Sequence, residues 1–313
     1  MFSVTSRDTS TMAGVGTILA TVFAMALADA FVKYASADMS LWQIYVLRSL
    51  LVVPLLALLV GMRVRVPRLG WVMLRSLSLA LMYLGIYGAL PKLDLSVVAA
   101  SLYTAPLFIT LLSATFLRET INLRHWIAIL MGFLGVLLVV KPGVSGFTPY
   151  ALIPVGAAFL YAIAAVLTRA KCDDVEAPVL AFWLNLTLLV FGVSASLFIV
   201  LLQTGESHSY PFLLGYWSQM HSGDWVVIGI LAALMLVISI GLARAYQSPR
   251  THVIATFDYA FLIFAAFWGF IFFGEVPDLW TVAGIVLIAS AGMIVLRAGV
   301  IAVEAKEPHR HGT

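Results

Sequence analysis

Five ionisable side chains sit inside otherwise apolar stretches of this chain: Asp29, Lys33, Arg48, Arg244 and Asp258. On insertion scales each such group costs roughly 2.5–3.5 kcal/mol at the centre of a membrane helix, so each needs a partner or a function. Asp29 and Arg48 flank a turn centred near Met39 at almost equal separations. At a rise of about 1.5 Å per residue the two fall at nearly the same depth. Lys33 lies one turn from Asp29 on the same helix face. The spacing predicts a buried triad of Asp29, Lys33 and Arg48. Two roles fit it: a fixed ion pair that keeps the first two helices in register, or a site where a substrate carboxylate competes for Arg48 or Lys33. The second role uses the one positive charge left over.

A second group flanks the turn at Ser248 and Pro249. Arg244 is either an anchor at the membrane surface or the counter-ion of Asp258, which a long arginine stem can reach. Asp258 stands in the run VIATFDYAFLIFAAFW beside Tyr259. A carboxylate there either is neutralised by Arg244 or loads and releases a proton for coupled transport. Polar and aromatic positions complete the candidate substrate site. Tyr83 and Tyr87 are one turn apart, Tyr103 adjoins Thr104, and Tyr161, Asn185, Tyr246 and Gln247 belong to the second half. Tyrosines at helical spacing also pack cores, but as a set they suit a ring-bearing substrate. Glu119 and Glu275 each end an apolar run, where a helix-boundary or capping role fits better than substrate contact.

The elements that must position these residues are transmembrane helices. The chain is 62% hydrophobic and 11% charged, with a mean hydropathy of +1.04, far from a soluble globular balance. Ten apolar runs are long enough to span a bilayer as helices: 12–36, 41–60, 71–90, 95–117, 124–141, 149–170, 178–203, 225–246, 251–273 and 279–298. Residues 97–139 and 253–295 align without a gap, keeping Val97/Val253, Ala99/Ala255, Tyr103/Tyr259, Phe108/Phe264 and Glu119/Glu275 identical. Phe23 to Lys33 also matches Phe159 to Arg169. Five spans per repeat force the second copy to enter the membrane upside down. The expected fold is therefore an all-α integral membrane protein of ten transmembrane helices in two inverted five-helix repeats. Residues 1–143 form the first, 144–298 the second, and 299–313 a disordered cytoplasmic tail.

Charge orients the spans. One side collects fourteen Lys or Arg, and the other only Lys33, Lys92 and Lys141. This positive-inside bias predicts both termini in the cytoplasm of a multi-pass inner-membrane protein. The same reading explains the basic balance of +3 without a nucleic-acid surface. No cleavable leader is expected, because the first apolar run is too long and carries Asp29 and Lys33. The single cysteine, Cys172, forms no internal disulfide. The loop 204–224, with Tyr210, Phe212, Tyr216 and Trp217, either gates a pathway or sits at headgroup level. His309 and His311 are too few for a metal site, and no metal or cofactor is expected.

The segments LDLSVVAASLYTAPLFITLLSATFLRETINLRHWIAILMGFLGVLLVVKPG (93–143) and AYQSPRTHVIATFDYAFLIFAAFWGFIFFGEVPDLWTVAGIVLIASAG (245–292) resemble the half-repeat of the drug/metabolite transporter superfamily, EamA type. A proline or small-residue break, an aromatic half, a terminal glutamate and a Gly-rich following helix carry the likeness. The second copy departs from it at Leu262, where the first has Pro106. The segments DAFVKY and RAYQS…VIATFDYAF lean toward bacterial members grouped with S-adenosylmethionine uptake carriers.

The resemblance implies a secondary transporter of a small organic metabolite, amino-acid-like, adenosyl-like or flavin-like, working by alternating access. A drug or aromatic-compound exporter of the same fold is the alternative. A polytopic membrane enzyme or a channel is the rival from another class. The dipeptide Gly-Lys never occurs, so no Walker A loop is present, and neither His-x-x-x-His nor Gly-x-Ser-x-Gly appears inside a span. An enzyme is thus not expected. Expected partners are a small-molecule substrate, the lipid bilayer and protons. Small-residue rows such as Ala128 with Gly132 fit either a monomer or a homodimer.

Overall fold

The structure is a computed structural model and describes residues 3–64, 66, 68–116, 123–141, 148–172, 174–202, 210–246 and 259–304. Every regular element among them is helical, as a lipid environment demands of a backbone that must satisfy its own hydrogen bonds. In chain order these are α1 (Ser3–Ala35), α2 (Leu41–Val60), α3 (Leu69–Ala89), α4 (Leu95–Leu102), α5 (Ala105–Phe116), α6 (Leu123–Val140) and α7 (Leu152–Lys171). They continue as α8 (Ala177–Leu202), the short α9 (Pro211–Leu214), α10 (Ser222–Tyr246), α11 (Ala260–Phe273) and α12 (Leu279–Glu304).

Among the described residues, six stretches are long and apolar enough to cross a membrane: Gly16–Ala35, Leu41–Val60, Leu69–Lys92, Leu95–Leu112, Pro149–Thr168 and Ala177–Leu202. Four shorter apolar helices accompany them: Trp126–Val140, Ser222–Ile238, Ala260–Phe273 and Leu279–Ile294. Large apolar side chains face outward in bands, Leu58, Leu59, Leu197, Phe198 and Leu201 among them. Such a surface is costly in water and matched by lipid.

Local chemistry sets the helix ends. Ser40 begins α2 by accepting the Gln43 N–H at 3.3 Å, an N-cap. Gly274, at φ +67°, ends α11 in the left-handed region that suits glycine. The span expected at 95–117 is broken. Pro106 has no N–H, and its ring would clash with the carbonyl four residues earlier. The chain therefore leaves the helix at Tyr103 and Thr104 and restarts as α5 at Ala105. The Thr104 hydroxyl donates to the Ser101 carbonyl at 2.6 Å and stabilises the break.

Packing couples the two halves throughout. α2 runs along α8, α3 along α7, α1 along α10 and α6 along α12, while α11 touches both α1 and α4. The α6–α12 contact is close because it is lined with small residues. A Cβ on Gly135 would fall 2.9 Å from the Gly284 carbonyl, and one on Gly284 would fall 2.7 Å from that of Gly135. Ala128 and Ala291 are buried together in the same region. Ala128 is therefore occupied by packing inside the chain, and a Cβ on Gly132 would overlap Leu107.

Candidate functional site

The helix break delivers Tyr103 to a cavity of about 160 Å³ that both halves line. Asp29, Ala28 and Met25 come from α1, and Arg48 from α2. The helix α3 adds Met82, Tyr83, Ile86 and Tyr87. Leu102, Tyr103, Ala105 and Pro106 come from the break. The opposite wall is Tyr161 of α7, Leu231, Met235 and Ile238 of α10, and Phe261 of α11. A mostly apolar cavity with a few polar groups is the usual form of a small-molecule site.

Arg48 is the chemical centre of this cavity. It is only 2% exposed, with its guanidinium carbon 5.6 Å from the Tyr45 ring centroid. Tyr87 lies close enough to interact with it, yet among the described residues its Nε and Nη2 have no hydrogen-bond partner. Asp29 interacts with it electrostatically, but no ion pair closes between them among the described residues. A buried cation without a bonded counter-ion is costly, and such groups are normally paired.

The rings around it are in contact with one another. Tyr83 and Tyr87 lie 5.4 Å apart, and Tyr45 and Tyr87 6.1 Å. Tyr103 meets Tyr259 at 5.1 Å and stacks on Phe261 at 5.4 Å.

Lys33 corrects the sequence-based triad. Its ammonium pairs with Glu275 and donates to the Leu93 carbonyl at 2.5 Å, with the Phe273 ring 4.9 Å away. The Lys33 side chain therefore reaches the end of the bundle instead of Asp29 and Arg48, because Glu275 offers it a nearer carboxylate. Glu275 also accepts the Leu95 N–H at 2.8 Å, so it caps the first turn of α4, where anionic groups are favoured. The cap lies on a helix of the first half and not on the helix that follows Glu275.

Other candidates fall outside the cavity. Asn185 is fully buried in α8, and its amide donates to the Ala181 carbonyl at 2.9 Å. Its amide thus turns back onto its own helix, and Asn185 is not among the residues that line the cavity. Thr104 holds the helix break and does not line the cavity. Arg244 and Tyr246 lie in α10, but their side chains fall outside the described residues. Gln247, Asp258 and Glu119 lie outside them altogether.

The cavity also holds residues that sequence reasoning misses. Met25, Met82, Met235, Leu231, Ile238 and Phe261 carry no pattern that distinguishes them from core. Arg75, which in the sequence is only one of the charges that orient the spans, is half-buried in α3. Its Nε donates to the Thr168 hydroxyl at 2.7 Å.

The loop before α10 folds back over the bundle. The Trp42 indole donates to the Leu213 carbonyl at 2.7 Å, and the Tyr210 hydroxyl donates to the Gly88 carbonyl. Gln43 is clasped to Ser218 by bonds of 3.1 and 3.2 Å. The Tyr210 pKa is pushed up to about 12 by burial and by the neighbouring Tyr150.

An all-helical bundle with lipid-matched sides and an internal cavity fits a class, the multi-pass membrane proteins with a small-molecule site. Comparison with known proteins narrows it. The model of the EamA-like transporter family matches residues 12–141. The chain is 31% identical over 285 residues to the pseudopaline exporter CntI of Pseudomonas aeruginosa, covering 88% of this chain and 94% of that one. It is 26% identical over 284 residues to a riboflavin transporter of Vibrio cholerae, covering 86% and 88%. An S-adenosylmethionine uptake transporter of Rickettsia prowazekii shares 24% identity over 194 residues, covering 62% and 60%. One solved crystal structure shares the fold with a TM-score of 0.60 at 18% identity, covering 96% of this chain and all of that one. The chain belongs to the EamA-like transporter family of the drug/metabolite transporter superfamily, whose members are transporters and not enzymes.

Proposed function

We propose that this chain is a secondary transporter that carries a small organic metabolite across the bacterial inner membrane by alternating access. The observation that carries the reading is the cavity lined by both halves, with a buried arginine on one wall. Two inverted repeats, 1–143 and 144–298, rock about this site. Helix packing supports the repeat. The pairs α3–α7 and α1–α10 exchange when repeat mates are swapped, while α2–α8 and α6–α12 map onto themselves. Both termini face the cytoplasm on the positive-inside argument. That orientation puts the Lys33–Glu275 pair at the outer end of the pathway, where it holds α1, α4 and α11 together.

The relatives' names direct the first assay. Riboflavin and S-adenosylmethionine are the import candidates, and pseudopaline the export candidate. Purified protein in liposomes is loaded with each unlabelled compound in turn and offered the labelled form outside. Saturable counterflow of any of them supports a carrier. Flux that rises linearly with concentration and shows no counterflow points to a channel instead.

A further inference from the structure

We infer that Arg75 is a second cationic residue of the substrate pathway, one that lines the cavity only when it opens toward the cytoplasm. The inference rests on the inverted-repeat carrier reading and deepens it by naming residues of the opposite-facing state.

Two spacings relate the repeats. The one that sets Phe23 on Phe159 carries Gly16–Ala35 onto Leu152–Lys171. The one that sets Tyr103 on Tyr259 carries Leu69–Ala89 onto residues 225–245 of α10. Packing supports both. Between α3 and α7, a Cβ on Gly85 would fall 3.2 Å from Ala157 Cβ, and between α1 and α10, one on Gly241 would fall 3.4 Å from Thr21 Cβ. Gly241 is the mate of Gly85, and Ala157 that of Thr21, so each close contact is the image of the other.

Three pairs of mates line the cavity together: Met25 with Tyr161, Met82 with Ile238, and Ala105 with Phe261. They mark the level at which the two halves are equivalent. From that level the cavity extends one way. Asp29, Tyr83, Tyr87, Tyr103, Leu231 and Met235 all lie on its outer side in the positive-inside orientation. The mates of Leu231 and Met235 are Arg75 and Leu79, which do not line the cavity in this conformation. Arg75 stands on the same face of α3 as Met82, about 10 Å nearer the cytoplasm.

Inversion turns outer into inner. When the halves exchange shapes, the cavity extends toward the cytoplasm, and the mates of its outer lining take over. Arg75 then stands where Leu231 stood, and Leu79 where Met235 stood. The first exchange puts a cation on the cytoplasmic side of the pathway where the outer side has a leucine.

Arg75 is already poised against that wall. Its Nε donates to the Thr168 hydroxyl, which donates in turn to the Ala164 carbonyl, each at 2.7 Å. Ala164 is the mate of Ala28, which lines the outer side. Among the described residues the Arg75 Nη1 is buried with no hydrogen-bond partner. Such a donor is costly and gains a partner when water or substrate reaches it. The bond to Thr168 joins the two halves, so it is a contact that cytoplasmic opening must break.

The test replaces the one cysteine, Cys172, by alanine and places single cysteines in the full chain at both mate pairs, R75C with L231C and L79C with M235C. A small impermeant methanethiosulfonate is offered from outside to spheroplasts and from the cytoplasmic side to inverted membrane vesicles. L231C and M235C should react from outside, R75C and L79C from the cytoplasmic side. Adding K33M, which removes the outer ion pair, should raise outer labelling and lower cytoplasmic labelling severalfold, because one equilibrium governs both. An Arg75 that only packs α3 on α7 would show no such reciprocity. L79C reports the same surface if R75C fails to fold.

Silence of R75C and L79C toward the cytoplasmic reagent, or labelling that K33M leaves unchanged, overturns the inference. Counterflow of riboflavin, S-adenosylmethionine or pseudopaline in liposomes under that result would leave the carrier reading intact. Labelling of all four positions from both sides would overturn both, since a continuous pore needs no exchange.

Discussion

Tyr103 and Tyr259, equivalent positions of the two sequence repeats, meet in the structure with ring centroids 5.1 Å apart. Each stands at the start of a helix, Tyr103 before α5 and Tyr259 before α11. One pair of side chains therefore joins the two halves beside the cavity. Aromatic pairs of this kind contribute about 0.5–1.5 kcal/mol beyond their buried area. A thermal-melt double-mutant cycle with Y103L and Y259L should return a coupling energy in that range. Strict additivity would show that the contact is incidental.

The Lys33–Glu275 pair should behave as a partly buried ion pair. The two side chains are 13% and 10% exposed. Removing one partner of a buried pair typically costs about 3–5 kcal/mol, because the other charge is left uncompensated. K33M should lower the melting temperature more than the double variant K33M/E275L. Equal melting of K33M and wild type would refute the pairing. A cysteine placed at Leu93 should also react faster with a membrane-impermeant maleimide in K33M, if the pair closes the outer end.

Close approach of α6 and α12 leaves no room for a side chain at Gly284. A Cβ there would meet the Gly135 carbonyl at 2.7 Å and Val139 Cγ2 at 2.6 Å. Overpacking a fitted interface costs about 1–3 kcal/mol or more. G284V should reduce thermal stability by at least that. By contrast, a methyl group at Gly156 would enter open space, so G156A should be nearly silent.

Asp278 provides a pH test outside the membrane. Hydrogen bonds from Lys141 and from the Thr281 N–H hold its carboxyl down, from the usual 3.8 to about 2. A depressed carboxylate contributes stability above its unfolded pKa and loses it as pH falls through the folded value. The melting advantage of wild type over D278N should therefore be level above about pH 4 and decline between about pH 4 and pH 2. The site is largely exposed, so the amplitude should be small and shrink in high salt. No change in that window would show that the Lys141–Asp278 pair does not persist in solution.

Apolar length, repeat and helix breakers can be read along the chain because each is a local property. Pro106 announces the break before α5, and Gly274 the end of α11. The matching depths of Asp29 and Arg48 follow from helix rise alone, and the structure sets both against one cavity. Lys33 departs from its expected place for a definable reason. Its i,i+4 spacing to Asp29 is a local relation, while its actual partner lies 242 residues away. Asn185 departs likewise, since the sequence does not show that an amide will turn back onto its own helix.

Class, helical architecture and the presence of costly buried charges therefore lie in the order of the residues, since hydrophobicity and backbone geometry act over one or two turns. The identity of each charge's partner does not. It depends on which helices touch, and α11 brings Glu275 to Lys33 only after both halves have packed. Nor does the order of the residues show that two donors of Arg48 are buried without a partner among the described residues, because packing sets distances across space that spacing along a chain does not encode.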